Sequence, residues 1–488
     1  MLAGDRLVRI PGPHHADYGG LGACGHRRVC RVTDGRLVLD VSTLARWTGP
    51  PVGIVRVEHA LAHQARAWRT DASFAFHDPQ SGLFHGLDPR WAPVVTGWDG
   101  AVEMFSRTRE RGQRRWLPSR YGIVMGLERT RLLSARPLAR RAAGGAQRVV
   151  LALRRHAFPV ESSRGTRIAN VPFEIALGGP TRLGPEDVML SAGTDWLHKN
   201  VQAIAAMKRR DGFRYAVLCY DMIPLTHPEF FHAHDVEHFR DYWDTMWRTA
   251  DLVVFNARQI EADARRIFGG LPVPNTAVAP LGYDPPAAPG AEPPALPGAL
   301  EPGRYALLVS TIEPRKGHAL LLRAWQRLLD RGLPQRHGFR LVFVGRAGWK
   351  VDAVLQQLAA PGAFGSTVLH LQGIDDAALE GLYRGAAFCL YPSLYEGFGL
   401  PVIEAFAHGK AVLASTGGAL PETVGGLSPC LDPANEAAWD AALADWIEHP
   451  EHRAPFEAAI RDGFRHPDWA TAAESILNLA FHAPRRQP

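Results

Sequence analysis

The chain has 488 residues, 46% of them hydrophobic and 21% charged, with five cysteines and a formal net charge of +6. That length exceeds one ordinary core, so two domains are expected, and a mean hydropathy of −0.13 fits a globular chain. No apolar run approaches the ~20 residues of a membrane span, the N-terminus lacks the apolar run of a signal peptide, and Cys24, Cys30, Cys219, Cys389 and Cys430 are too scattered for a disulfide framework, so the expected address is the cytoplasm.

Residues 1–36 carry no clear element. Cys24 and Cys30 lie near His26, but no second ligand pair follows at finger-like spacing, which argues against a structural metal. RLVLDVST over 36–43 reads as a strand, and GIVRVEHALAHQARAW over 53–68 as a helix with apolar residues at Ile54, Val57, Leu61 and Ala65. From 107 to 167 the chain carries sixteen Arg and three Glu with no Lys or Asp, a local balance of +13 against −7 for the remainder. This basic insert, 107–168, suits an anionic surface. Its apolar patches YGIVMGL and VVLALRR favour a membrane headgroup region over nucleic acid. No nucleic-acid-binding motif with interleaved aromatics occurs, so none is expected as partner. The alternative is a solvated arginine face.

Strand and helix signals then alternate: DVMLSAG, KNVQAIAAMKRR, FRYAVLCYDMIP, a helix over 234–249, DLVVFNA, ARQIEADARRIFG and TAVAPLG. Residues 285–303 lie in a stretch dense in Pro, Ala and Gly and read as a linker. The second half is more regular, with strands at YALLVS, LVFVG, TVLHLQG, AFCLYPS and AVLAS separated by helical segments. Short apolar runs between helices imply parallel strands covered on both faces. The expected fold class is α/β with two Rossmann-like domains, 37–284 and 304–465, facing each other across a cleft. Residues 466–488 are expected to form a helix returning toward the first domain.

The most informative stretch is YPSLYEGFGLPVIEAFAHG over 391–409. A strand ends near Pro392, glycines break the loop that follows, and Pro401 is expected as the first residue of a helix with Glu404 in its first turn. Gly397 and Gly399 let the backbone approach a ligand, and the free N–H groups of the helix start suit a diphosphate. The spacing of Glu396 and Glu404 resembles the E-x7-E motif of retaining nucleotide-sugar transferases of the GT-B fold, glycosyltransferase family 4, with a look closest to bacterial mannosyl- and rhamnosyltransferases. The resemblance runs from about residue 37 to the C-terminus and is strongest over 305–433.

The resemblance implies that Glu396 contacts the donor sugar's hydroxyls and Glu404 the nucleotide ribose, with Gly397, Phe398, Gly399 and Leu400 lining the donor site. STIEPRKGH over 310–318 matches the family's phosphate-contacting loop, so Arg315 and Lys316 would neutralise the leaving diphosphate. No D-x-D metal motif occurs, so no metal and no cofactor is expected, the nucleotide sugar being a co-substrate. VGRAGW and LQGIDDAAL resemble loops beside the nucleotide, which adds Arg346 and Ile374. GPPVGIVRV resembles the family's glycine loop and adds Gly53 near the sugar. YDMIPLTHPEFF resembles an HD-[LIM]-IP-x-x-x-P-E-F-F motif, which makes Asp221 a candidate for orienting the acceptor, against an alternative role in capping its loop. The chain departs from the pattern at Ser310, where many relatives carry Arg or Lys, and at Tyr220, where many carry a donor-contacting histidine; a tyrosine hydroxyl can also hydrogen-bond, so Tyr220 stands as an acceptor-side candidate for a sugar contact.

The implied activity is metal-independent, retaining transfer of a hexose from a nucleoside diphosphate to a saccharide or lipid-linked acceptor in surface polysaccharide synthesis. The look favours GDP-mannose as donor, with UDP- and dTDP-sugars open, and the basic insert implies a peripheral position at the inner membrane face. Two rivals stand beside this: an epimerase or phosphorylase on the same fold, and a non-catalytic scaffold docked on a membrane.

Overall fold

The computed structural model describes residues 35–47, 53–69, 71–79, 81–87, 177–284, 296–297, 300–359 and 362–486. The basic insert 107–168, the segment 1–34 with Cys24, His26 and Cys30, and most of the expected linker 285–303 lie outside the described residues.

Two sheets carry the described residues. The first comprises β1 (Leu37–Asp40), β2 (Ser73–Asp78), β3 (Leu83–Leu87), β4 (Leu177–Pro180), β5 (Val188–Ser191), β6 (Arg214–Cys219), β7 (Leu252–Phe255) and β8 (Asn275–Val278), in the order β4-β3-β2-β1-β5-β6-β7-β8. The pairings from β2 through β8 are parallel, and β3 and β4 add an antiparallel edge. The strands β2 to β4 are absent from the sequence reading, since buried His77 and His85 interrupt the apolar pattern of β2 and β3, and β4 is the glycine- and proline-bearing LGGP.

Alternation along the strands feeds two cores. Leu37, Leu39, Ala216 and Leu218 face one side, and Val38, Tyr215, Val217 and Cys219 the other. The period of two sends successive side chains to opposite faces, and both faces are covered. Helix α1 (Ile54–Trp68) covers the first face through Val57, Leu61 and Ala65. Helix α2 (Val201–Asp211) and helix α3 (Ala233–Thr249) cover the second. The C-terminal helix Trp469–His482 leaves the second domain and joins α1 on the first face, burying Ala473, Ile476, Leu477, Ala480 and Phe481. It meets the outgoing chain at a crossing. There the His466 ring bonds the Leu281 carbonyl at 2.7 Å, and the Tyr283 N–H donates to the Pro467 carbonyl at 3.0 Å.

The second sheet comprises β9 (Tyr305–Val309), β10 (Arg340–Val344), β11 (Val368–Leu371), β12 (Phe388–Tyr391), β13 (Val412–Ser415) and β14 (Cys430–Leu431). All its pairings are parallel, and the order is β11-β10-β9-β12-β13-β14. Read from its own first strand this is 3-2-1-4-5-6, the doubly wound Rossmann order. Its core includes Leu307, Trp325, Phe343, Leu390, Leu413 and Trp439. In such sheets ligands bind beyond the carboxyl ends of the strands at the point where the order reverses, here between β9 and β12.

Contacts join the two domains at several points. Glu422 accepts the Arg258 and Gln259 N–H groups at 2.9 and 3.3 Å, capping the start of α4 (Arg258–Ile267). The Tyr395 hydroxyl donates to Asp263 of the same helix. Trp349 Nε1 donates to the Phe230 carbonyl at 2.8 Å, and Lys350 Nζ to the Phe231 carbonyl at 2.8 Å. Among the described residues no helix is long and apolar enough to cross a membrane.

Candidate functional site

Two loops meet at the switch point of the second sheet. After β9, Pro314–Lys316 form a short 3-10 turn that ends at Gly317, whose φ of +76 lies in the left-handed region. A Cβ at Gly317 would overlap the Pro392 carbonyl from the loop after β12. The Leu394 N–H donates to the Arg315 carbonyl at 2.7 Å, which sews the two loops together.

This backbone pairing brings Glu396 onto both cations. Lys316 Nζ donates to Glu396 Oε1 at 2.6 Å, and Arg315 Nη1 lies 2.9 Å from Oε2. Arg315 also reaches Glu313 at 3.4 Å and donates to the Tyr395 carbonyl at 3.2 Å. The Glu396 side chain is 7% exposed and that of Lys316 11%. Burial alone would raise the Glu396 carboxyl, but Arg315 and Lys316 outweigh it and hold the pKa at about 2. Burial, ahead of the pull of Glu396, lowers the Lys316 ammonium from its ordinary value. Burial also raises Glu313 against the attraction of Arg315 and Lys316.

The rest of the donor loop is seated in the first domain. Phe398 and Leu400 pack against its core, and a Cβ at Gly397 would overlap the Tyr220 carbonyl and the Asp221 side chain. Helix α5 (Leu400–Ala407) starts from Gly399, with φ +106. The helix thus begins one residue before Pro401, and Glu404 stands in its second turn, not its first. This corrects the sequence reading, because Gly399 supplies the N-cap in place of Leu400. Glu404 Oε2 accepts the Tyr383 hydroxyl at 2.7 Å, and burial raises its carboxyl from the ordinary value against that bond and Arg56. Tyr383 in turn stacks on His408 with centroids 5.1 Å apart.

Arg346 is exposed in the loop after β10, and its carbonyl accepts the Ile312 N–H at 2.9 Å. Ile374, after β11, packs on the rim of the second core. Both lie at the carboxyl edge of the sheet that carries Glu396. Gly53 is the N-cap of α1 with φ +52.

From the first domain, Asp221 approaches this group. Burial raises its carboxyl, opposed chiefly by Arg315, and its Oδ1 accepts the Ile223 N–H at 3.0 Å. It therefore caps its loop while sharing the field of Arg315. Tyr220 is different. Its ring lies in the first-domain core, and its hydroxyl donates to the Ala192 carbonyl. The sugar contact expected from this position is not offered by the Tyr220 side chain, because the strand alternation that turns Cys219 to one core turns Tyr220 into the other. Tyr383 and Arg56 are the partners of Glu404 that sequence reasoning missed. No spacing signal links either to it across the fold.

Residues 297–462 match the family described as Glycosyl transferases group 1. The O-antigen chain mannosyltransferase B of Escherichia coli is 37% identical over 149 residues, 30% of this chain and 38% of that protein. The MMP alpha-(1->4)-mannosyltransferase of Mycolicibacterium hassiacum is 39% identical over 152 residues, 30% of this chain and 35% of that one. The chain thus spans less than two fifths of the length of these relatives. Among solved structures, Anabaena HepE in complex with UDP and glucose aligns with a TM-score of 0.53 at 16% identity, covering 91% of this chain and 98% of that one. Sucrose-phosphate synthase from Thermosynechococcus elongatus aligns at 0.52 and 17% identity with the same coverage. The chain therefore carries a glycosyltransferase group 1 domain over residues 297–462, within a two-domain α/β fold of the GT-B kind.

Proposed function

We propose that the chain is a retaining, metal-independent glycosyltransferase that moves a hexose from a nucleoside diphosphate to a saccharide or lipid-linked acceptor. The observation that carries this reading is the convergence of Arg315, Lys316 and Glu396 at the switch point of the second sheet. Two cations held by a buried carboxylate are preorganised for a leaving group that develops negative charge, and they need no reorganisation when the bond breaks.

In the proposed reaction the bond from the sugar's anomeric carbon to the β-phosphate oxygen breaks, and the electron pair leaves with the phosphate. The acceptor hydroxyl oxygen bonds the same carbon from the same face, and its proton passes to a leaving phosphate oxygen. Arg315 and Lys316 stabilise that phosphate. Glu396 orients both cations and holds the sugar's hydroxyls. Gly397, Phe398, Gly399 and Leu400 give the donor its backbone surface, with Arg346 and Ile374 on the nucleotide side and Gly53 facing from the first domain. Glu404, fixed by Tyr383, holds the ribose. Asp221 orients the acceptor from the first domain.

The relatives named as mannosyltransferases support mannose as the sugar, for which GDP-mannose is the donor proposed, and the O-antigen relative supports a surface polysaccharide acceptor. The basic insert 107–168 would hold the enzyme at an anionic inner membrane face. Co-sedimentation with neutral and anionic vesicles tests that part, and equal binding to both would end it. The donor is tested by a thermal-shift panel of GDP, UDP, dTDP and ADP, since a ligand at 100 times its Kd adds ~2.7 kcal/mol of stability. GDP is expected to give the largest shift, and no shift from any of the four would overturn the reading.

A further inference from the structure

The cleft carries a third cation, supplied by the opposite domain. Arg56 lies in the first turn of α1, three residues beyond Gly53, and its Nη1 stands 3.9 Å from Glu404 Oε1. The other oxygen of Glu404 is held by Tyr383 at 2.7 Å, so the carboxylate is fixed from its own domain, and the side facing the cleft is the side that meets Arg56. The Arg56 side chain is 36% exposed, whereas that of Arg315 is 16%. Arg56 is thus the more exposed of the two cations. Tyr283, at the domain crossing, lies in the field of the same two groups.

Arg315 and Lys316 share Glu396, with Glu313 beside Arg315, and Arg56 faces Glu404, so each cation would meet a doubly negative diphosphate with a carboxylate at hand. Arg315 and Lys316 sit at the sugar end of the loop. Arg56 sits beside Glu404 of α5, the carboxylate assigned to the ribose, where the α-phosphate adjoins the nucleoside.

Resting on the donor reading above, we infer that Arg56 is a donor-binding residue lent by the first domain, whose guanidinium takes the α-phosphate while Glu404 takes the adjoining ribose. Guanidinium is suited to this, since its planar fork presents paired donors to phosphate oxygens. The donor would then be gripped from both domains, with Lys316 on the β-phosphate and Arg56 on the α-phosphate, so nucleotide binding and cleft closure are coupled.

The test uses the full-length chain and begins with wild type against GDP, UDP, dTDP and ADP. If none binds, the donor reading itself fails. With the tightest of these, calorimetry then compares wild type, Arg56→Ala, Arg56→Gln and Lys316→Ala for the diphosphate, its monophosphate and, by competition, its nucleoside. Melting of each variant without ligand checks folding, and Arg56→Gln keeps the test open if the alanine variant is unstable. The expected result is a loss of about tenfold or more for both diphosphate and monophosphate in the Arg56 variants, with the nucleoside unchanged. Lys316→Ala should weaken the diphosphate and spare the monophosphate. If wild type binds a diphosphate and the Arg56 variants bind it equally well, or if they lose the nucleoside to the same degree, the assignment of Arg56 to the phosphate is overturned.

Discussion

Lys316 and Glu396, eighty residues apart in sequence, form a hydrogen-bonded ion pair of 2.6 Å that is almost sealed from solvent. The pair joins the first and fourth strands of a Rossmann sheet at the point where ligands enter such sheets. Arg315 completes it from the other side of the carboxylate. The cations are thus aimed before any donor arrives.

Removing the carboxylate should strand two buried cations. Glu396→Gln is expected to destabilise the protein by about 3–5 kcal/mol, the range for breaking a buried pair from one side. A bound nucleoside diphosphate supplies the missing counter-charge, so its thermal shift should be larger in the variant than in wild type if the ribose and base contacts persist. The pH dependence has a definite sign. A carboxyl held at about 2 contributes stability above its unfolded value of ~4.3 and loses it as pH falls from there through 2. Urea midpoints measured across that window should fall for wild type by an increment missing in Glu396→Gln.

Tyr383→Phe removes the hydroxyl that fixes Glu404 and leaves the ring stacked on His408. A hydrogen bond to a charged group contributes about 1.5–3 kcal/mol. Steady-state kinetics should therefore show KM for the donor raised by roughly tenfold or more with kcat little changed. A fall in kcat at constant KM would place Tyr383 in a different role.

Gly397 is where the donor loop presses on the first domain. A methyl group there would overlap the Tyr220 carbonyl, so Gly397→Ala must move one domain away from the other. The expected outcome is a folded protein with a larger radius of gyration by X-ray scattering and kcat lowered by about 10²-fold, the scale of a 1 Å misplacement. Unchanged kcat would mean that the loop and Tyr220 need not touch during turnover.

A buried polar network lies under the first sheet's own switch point. Lys199 Nζ pairs with Asp40 and, at 2.6 Å, with Asp195, and it donates to Ser191 at 2.7 Å. Burial, opposed by Lys199, raises the Asp195 carboxyl to about 6. A raised carboxyl keeps its proton longer in the folded state, so stability should decline as pH rises from ~3.9 through 6 and stay level above. Chemical denaturation of Asp195→Asn should lack that slope. Lys199→Met, which leaves Asp40 without its counter-charge, should cost about 3–5 kcal/mol.

The second domain was largely legible in the sequence because its strands are uninterrupted apolar runs between helices. The helix His318–Asp330 begins and ends where the HALLLRAWQRLLD pattern does. The first domain's edge was not legible, since β2 and β3 bury His77 and His85 and break the alternation that marks a strand. In the site, the motif spacing pointed to Glu396, Glu404, Arg315 and Lys316 one at a time. That Glu396 touches both cations depends on Leu394 bonding the Arg315 backbone, a tertiary pairing with no local signal. The approach of Arg56 to Glu404 likewise arises only when the two domains are packed together, and the inward turn of Tyr220 is fixed by its bond to the Ala192 carbonyl within the first domain.

The role of the Lys316–Glu396 pair in catalysis is checked by transfer of labelled mannose from GDP-mannose to an oligosaccharide acceptor, compared for wild type, Lys316→Ala and Glu396→Ala. Wild type is expected to transfer, and each variant to lose ~10²–10³ in kcat, with neither supporting sugar release that wild type lacks. Near-wild-type transfer by both variants would contradict that role.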